Sequence, residues 1–350
     1  MDKVYVNGRD FTGWALDTDY YLAVSALSGF MGISSNVMGC DFVHSVWPSK
    51  YYKFFSHRKE HFVAVMQGDP ERLMMDGDFA IFCKDALLVA QSSSAYNKLI
   101  SMGYKGTAHI PYIADTVSFH RISSKESLRK KYHIDDQVFV ISNFMRDSEG
   151  SNIYTPKLIK GPDIFLEIVD LVSDMIGREC ILVLLAGPRR HWIRRELARR
   201  KIPFYFYGRL SEYDDYRINT LPQSIINELY NVSDVSIVSS RSEGGPRAIL
   251  ESMCAGTPVI STDVGIAKDV LDDRFIYSNP EEGADIVMRG IRNQSIFDES
   301  VVFGIKNIYE KNTLDIIKSE WAKYYHSSFV RDRIGHKSFY ICDLYTGLIK

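Results

Sequence analysis

Two carboxylates flank a glycine turn in the stretch Ser239-Ser-Arg-Ser-Glu-Gly-Gly-Pro-Arg-Ala-Ile-Leu-Glu251. Glu243 precedes Gly244-Gly245-Pro246 and Glu251 follows it, with seven residues between the two acids. Pro246 suits the first position of a helix, where its fixed φ fits and its missing N–H costs nothing. Ala248, Ile249, Leu250, Met253 and Cys254 then supply an apolar helix face. A helix that starts at such a turn presents free backbone N–H groups at its positive end, which suits an anion such as a phosphate. Glu251 lies five residues beyond Pro246, roughly 7.5 Å along the axis at about 1.5 Å per residue. One acid can therefore face the reacting end of a ligand while the other reaches a group at its far end.

The elements that must position these groups are short and apolar. Asp234-Val-Ser-Ile-Val238 reads as a buried strand of a parallel sheet, and Val259-Ile-Ser-Thr262 begins another after the helix ends at Ala255-Gly256. The same rhythm runs through the chain. Residues 3 to 6, the ends of Asp41-Phe-Val-His-Ser-Val-Trp-Pro48 and His61-Phe-Val-Ala-Val-Met-Gln-Gly-Asp-Pro70, and Ala86 to Ala90 predict strands of a first half. A helix is expected from Asp17 to Leu27. Gln137 to Asn143, Cys180 to Gly187 and Phe204 to Tyr207 predict strands of a second half. The polar run Arg121 to Asp136 reads as the linker with an ancillary helix. Alternating strands and helices in two successive sets imply two doubly wound α/β domains. A further strand is expected from Ser338 to Tyr345.

Composition narrows the function. At 350 residues, two domains are expected. A net charge of −2 makes no case for a nucleic-acid binder. Five scattered cysteines without Cys-x-x-Cys spacing favour a reducing compartment and no zinc. Neither a signal peptide nor an 18-residue apolar span is visible, so no membrane crossing is expected. Asp17-Thr-Asp19 has a form that can hold a metal, but first-turn acids at a helix N-terminus are the better reading. Lys50-Tyr-Tyr-Lys-Phe-Phe-Ser-His-Arg-Lys59 could rest on an anionic membrane, and Arg189 to Lys201 could do the same or meet a partner. The simpler expectation for each is a helix with its aromatics inward and its bases in water.

Glu243-Gly-Gly-Pro246 followed by Leu250-Glu-Ser-Met-Cys-Ala-Gly-Thr-Pro-Val259 resembles the retaining GT-B glycosyltransferases of the large Glu-x7-Glu family, glycosyltransferase family 4, also called glycosyl transferases group 1. The resemblance is tight over 234 to 265 and loose over most of 40 to 325. It implies the GT-B fold, two doubly wound Rossmann-like domains facing across a cleft. The first would span 1–125, the second 126–313, and a crossing helix and tail, 314–350, would return to the first. It implies a metal-independent, retaining transfer of a hexose from a UDP- or GDP-sugar, with no cofactor, to a hydroxyl of a saccharide or lipid-linked acceptor.

Site residues follow from the same resemblance. Arg146 and Lys160 match the two bases that grip the donor diphosphate, although the insertion Asp147 to Pro156 leaves Lys157 as a substitute. Glu243, Arg146 and Lys160 are the implied catalytic set. Gly13, Gly208, Arg209, Gly244, Gly245, Pro246, Arg247 and Glu251 are the other implied donor contacts, with Glu251 on the ribose hydroxyls. On the acceptor side stand His44, where a structural histidine is an equal alternative, and Gln67 with Asp69, where many members carry a histidine. Gln67 can hydrogen-bond a sugar hydroxyl but cannot titrate. Other readings are a sugar phosphorylase, an enzyme that glycosylates DNA bases, or a non-catalytic nucleotide-sugar sensor. The expected location is cytoplasmic, or the cytoplasmic face of a membrane, with peripheral membrane contact as one option and nucleic acid disfavoured.

Overall fold

The computed structural model describes residues 1–13, 15–149 and 152–335, without the side chains of 333–335. The strand expected from Ser338 to Tyr345 lies outside these. The first sheet contains β1 (Lys3–Asn7), β2 (Gly32–Ile33), β3 (Phe42–Ser45), β4 (Phe62–Met66), β5 (Leu87–Ala90) and β6 (Ala108–His109) in the spatial order β2-β1-β3-β4-β5-β6. The second contains β7 (Phe139–Asn143), β8 (Ile181–Ala186), β9 (Phe204–Tyr207), β10 (Val235–Val238), β11 (Val259–Thr262) and β12 (Ile276–Tyr277) in the order β12-β11-β10-β7-β8-β9. Every pairing is parallel. These are two doubly wound lobes, as the sequence led us to expect.

The strands read as continuous apolar runs because both faces of each sheet are covered. Every residue of β4, β5 and β10 is buried. In the second lobe the helix Pro162–Ile176 sets Phe165, Leu166, Ile168, Val169 and Val172 against the sheet. Burying such side chains contributes about 1.5 to 3 kcal/mol each. The order of the second sheet reverses between β7 and β10. In open parallel sheets, ligands bind in the crevice beyond the carboxyl ends of the strands at such a switch point. Asn143, the last residue of β7, spans it by donating to the Ile237 carbonyl of β10 at 2.8 Å.

The helix Leu314–His326 packs on the helix Ala15–Leu27 of the first lobe and carries Trp321 and Tyr325 into that lobe's core. It also decides the place of His44. The His44 ring is buried, lies 4.7 Å from the Trp321 ring centroid and has Nδ1 2.9 Å from the Tyr325 hydroxyl. His44 does not line the interlobe cleft, which corrects its assignment to the acceptor side. Burial holds its pKa down to about 3. The folded chain therefore keeps His44 neutral while the unfolded chain takes up a proton near pH 6.5. Its contribution is whole above about pH 6.5 and is lost as pH falls toward 3. We expect stability to drop between pH 6.5 and 4 with up to about 1.4 kcal/mol per pH unit from this one proton. Thermal midpoints measured over that range should fall less steeply for His44→Phe.

The two basic runs pack in part against the chain itself. In the first, Tyr52 and Phe55 enter the core while the Lys50 ammonium sits 4.3 Å from the Trp47 ring centroid; Phe54 stays exposed. In the second, helix His191–Arg200, Arg190 is buried 3.5 Å from Asp147, Arg194 covers Phe206, and Arg195 covers Tyr154. Arg190, Arg194 and Arg195 are thus committed within the chain, while Arg199 and Lys201 face solvent as expected. Among the described residues no helix is long and apolar enough to cross a membrane.

Candidate active site

A cavity of about 510 Å³ opens between the lobes at the carboxyl ends of the strands. The second lobe supplies its far wall from the loops after β7 and β10, through Arg146, Glu243, Gly245 and Pro246, together with Lys160 and Glu251. The first lobe supplies Gly13, Asp19, Trp47 and Gln67.

Lys160 is placed by its backbone. It ends the short turn Leu158–Lys160, whose carbonyls are held by the loop after β10. Arg241 N–H donates to Ile159 O at 2.9 Å, the Arg241 guanidinium to Leu158 O at 2.7 Å, and Ser239 Oγ to Lys160 O at 3.3 Å. The next residue, Gly161, has φ +59° and opens the helix Pro162–Ile176. A side chain there would overlap the Ser239 carbonyl oxygen. This clamp turns the Lys160 ammonium onto the Glu243 carboxylate, which also accepts from Ser240 Oγ at 2.8 Å. Lys157 instead pairs with Glu149 at 3.0 Å, which leaves Lys160 as the lysine of the cavity. Arg146 lines the same wall. Burial, then repulsion from Arg189, lowers its pKa, while Glu243 and Glu149 oppose the shift. An arginine remains charged under such shifts.

The helix behind the glycine turn spans Arg247–Cys254. Pro246 is its N-cap rather than its first residue, a displacement of one position that leaves the amides of the first turn at the cavity. Ile249, Leu250 and Met253 bury the opposite face. Glu251 lies one turn beyond Arg247, half-buried, and accepts from the Tyr230 hydroxyl at 3.4 Å. Burial raises its pKa, and the Arg247 charge and the Tyr230 hydroxyl oppose the rise. The turn is held tightly from across the cleft. A side chain at Gly245 would overlap the Tyr112 ring, and one at Gly244 would overlap the Gln67 carbonyl. Gly244 therefore presses on the first lobe, and Gly245 is the one of this pair that lines the cavity.

Several expected contacts lie elsewhere. Asp69 caps the helix Pro70–Leu73, pairs with Lys98 at 2.9 Å and accepts from Ser242 Oγ at 3.1 Å, so it joins the lobes instead of facing the cavity. Gly208 and Arg209 do not line the cavity. Arg209 is exposed and its backbone is bound on both sides by Asn219, at 2.7 and 2.9 Å. The wall at that end comes from Gly187, Pro188, Thr220, Leu221 and Gln223. The Arg247 side chain turns away from the helix start to Asp19 and the Ile113 carbonyl. Gln67 does line the cavity. Its amide donates to Gln91 at 3.0 Å and accepts from the Tyr112 hydroxyl at 3.2 Å, which fixes its orientation. Gly13, with φ +77°, lines the cavity while its N–H donates to Asp17 at 2.7 Å. Asp17 thus organises the turn before its helix, as the first-turn reading anticipated.

Trp47 and Tyr230 were missed as site residues. Trp47 stood in the strand-end motif and its aromatic type was the available signal. Tyr230 carried none, since its role depends on packing between Phe144 and Phe119, at 4.7 and 6.2 Å between ring centroids.

Residues 151–293 match the family model described as Glycosyl transferases group 1, in keeping with the resemblance drawn from the Glu243 to Val259 stretch. Over 93% of its length the chain superposes on GT-B glycosyltransferases. HepE of Anabaena, solved with UDP and glucose, is 13% identical with a TM-score of 0.69 over 93% of this chain and 100% of that one. Sucrose-phosphate synthase of Thermosynechococcus elongatus is 11% identical with a TM-score of 0.70 over 93% and 98%. WaaG, a glycosyltransferase involved in lipopolysaccharide biosynthesis, is 14% identical with a TM-score of 0.64 over 93% and 100%. At these identities the likeness is one of fold. No curated protein matches the chain by sequence.

Proposed function

We propose that the chain is a retaining, metal-independent glycosyltransferase that moves a hexose from a UDP- or GDP-sugar to a hydroxyl of a saccharide or lipid-linked acceptor in the cytoplasm. One observation carries the reading. Lys160, Arg146 and the first turn of the helix Arg247–Cys254 converge on a single cavity in which Glu243 and Glu251 are the acids of the second lobe. As the glycosidic bond stretches, its electron pair passes to the diphosphate, and these fixed donors meet the charge that collects there. A neutralising metal is then dispensable. Glu243, held by Lys160 and Ser240, would orient sugar hydroxyls and stabilise the positive ring carbon. Glu251 would accept from the ribose. The acceptor hydroxyl would pass its proton to the departing phosphate oxygen on the same face.

Thermal-shift screening against nucleoside diphosphates and their sugars tests this reading. A ligand present at 100 times its Kd adds about 2.7 kcal/mol to the folded state. We expect UDP or GDP, with the matching sugar, to raise the midpoint, and nucleosides without the diphosphate to leave it in place. A screen in which no diphosphate acts would contradict the proposal.

A further inference from the structure

We propose that Asp19 and Arg247 are positioning residues whose ion pair ties the acceptor-side helix Ala15–Leu27 to the first turn of the phosphate-facing helix, holding the lobes in register for transfer. The proposal rests on the functional reading above. Asp19 belongs to the first lobe and Arg247 to the second, and the two carry opposite charges in direct contact at the cavity wall. Asp19 is 8% exposed and Arg247 7%, so water screens neither. Arg247 also donates to the Ile113 carbonyl of the first lobe at 3.2 Å. Its reach is therefore committed across the cleft, although its backbone opens the helix whose amides face the cavity.

Stability alone does not call for such a pair. Well-packed apolar residues in place of a buried ion pair are often as stable or more so, whereas removing one partner strands the other charge. What the pair provides is a contact that forms only at one lobe separation. Three neighbouring ties each involve a neutral group: Gln223 to Thr18 at 3.2 Å, Thr220 to the Thr12 carbonyl at 3.4 Å, and Ser242 to Asp69 at 3.1 Å. The charged pair is thus the stronger and more directional link between the donor site and the acceptor wall.

The double variant D19N/R247M removes both charges together, so neither is stranded and the lobes can fold. Its donor Kd should weaken by only a few fold, through the loss of the Arg247 charge beside Glu251, because Arg146 and Lys160 remain in place for the diphosphate. Its turnover of UDP-glucose, or of GDP-mannose if guanine is preferred, should fall about 10²-fold as the lobes lose register. R247K keeps the charge without the planar fork and should recover about tenfold of that loss. Small-angle scattering reads the tie without reference to activity: the radius of gyration with UDP or GDP present should be larger in D19N/R247M than in wild type. Equal radii, or equal turnover in a wild type that does turn over donor, would overturn the proposal. A wild type inert toward every donor would instead remove the functional reading, and the scattering result would still decide the tie.

Discussion

Replacing Lys160 by alanine should lower turnover by about 10² to 10³-fold, the usual loss when one preorganised donor to a developing anion is removed. Donor affinity should fall less, because the charge that Lys160 meets grows as the bond to the leaving group breaks. The same change takes the Lys160 ammonium off Glu243 and leaves the Ser240 hydroxyl on it. Initial rates over a range of donor concentrations, which separate kcat from the donor KM, check this. Lys157→Ala, whose side chain belongs to Glu149, should leave turnover within a few fold of wild type. Equal losses in both variants would show that the two lysines had been assigned wrongly.

Gly161→Ala should be the most damaging substitution for stability near the site. The added methyl would overlap the Ser239 carbonyl oxygen, and the backbone sits at φ +59°, where a side chain is strained. The turn Leu158–Lys160 would have to move, and the clamp from Arg241 and Ser239 would move with it. We expect a loss of about 3 kcal/mol from this combination of strain and displacement. That corresponds to a midpoint lower by roughly 6 to 12 °C for a domain of this size. Turnover below the midpoint should also fall by about 10²-fold, because the Lys160 ammonium is carried off its mark. Calorimetry and initial rates on the purified variant separate the two effects.

These two residues also show how much the chain displays in one dimension. Strands β4, β5, β7, β8 and β10 are short apolar runs bounded by polar or glycine-rich segments, the pattern of parallel strands covered on both faces. Glu243, the glycine turn and Glu251 are local in sequence, so their relation to a helix start could be read directly. The choice between Lys157 and Lys160 could not, because the insertion between Asp147 and Pro156 hid the register; Glu149 within that insertion binds Lys157, and Lys160 lines the cavity. His44 was equally open to the core and the cleft, and the choice is made by Tyr325, 281 residues away. Asp19 lies 228 residues from Arg247, so no spacing in the sequence announces their pairing. Gly208 and Arg209 followed a strand end as expected, yet Asn219 holds their backbone outside the cavity, and the loop through Thr220 and Gln223 takes their place. For His44 and for Asp19 with Arg247, what stayed hidden was a contact between distant segments.

The account turns on where the leaving group sits. Crystals soaked with UDP or GDP, whichever the thermal screen selects, would answer this directly. We predict the phosphates against the amides of the first turn of Arg247–Cys254, within hydrogen-bond reach of Lys160 and Arg146, with the ribose beside Glu251. Phosphates bound anywhere else in the cleft, or on the first lobe, would contradict it.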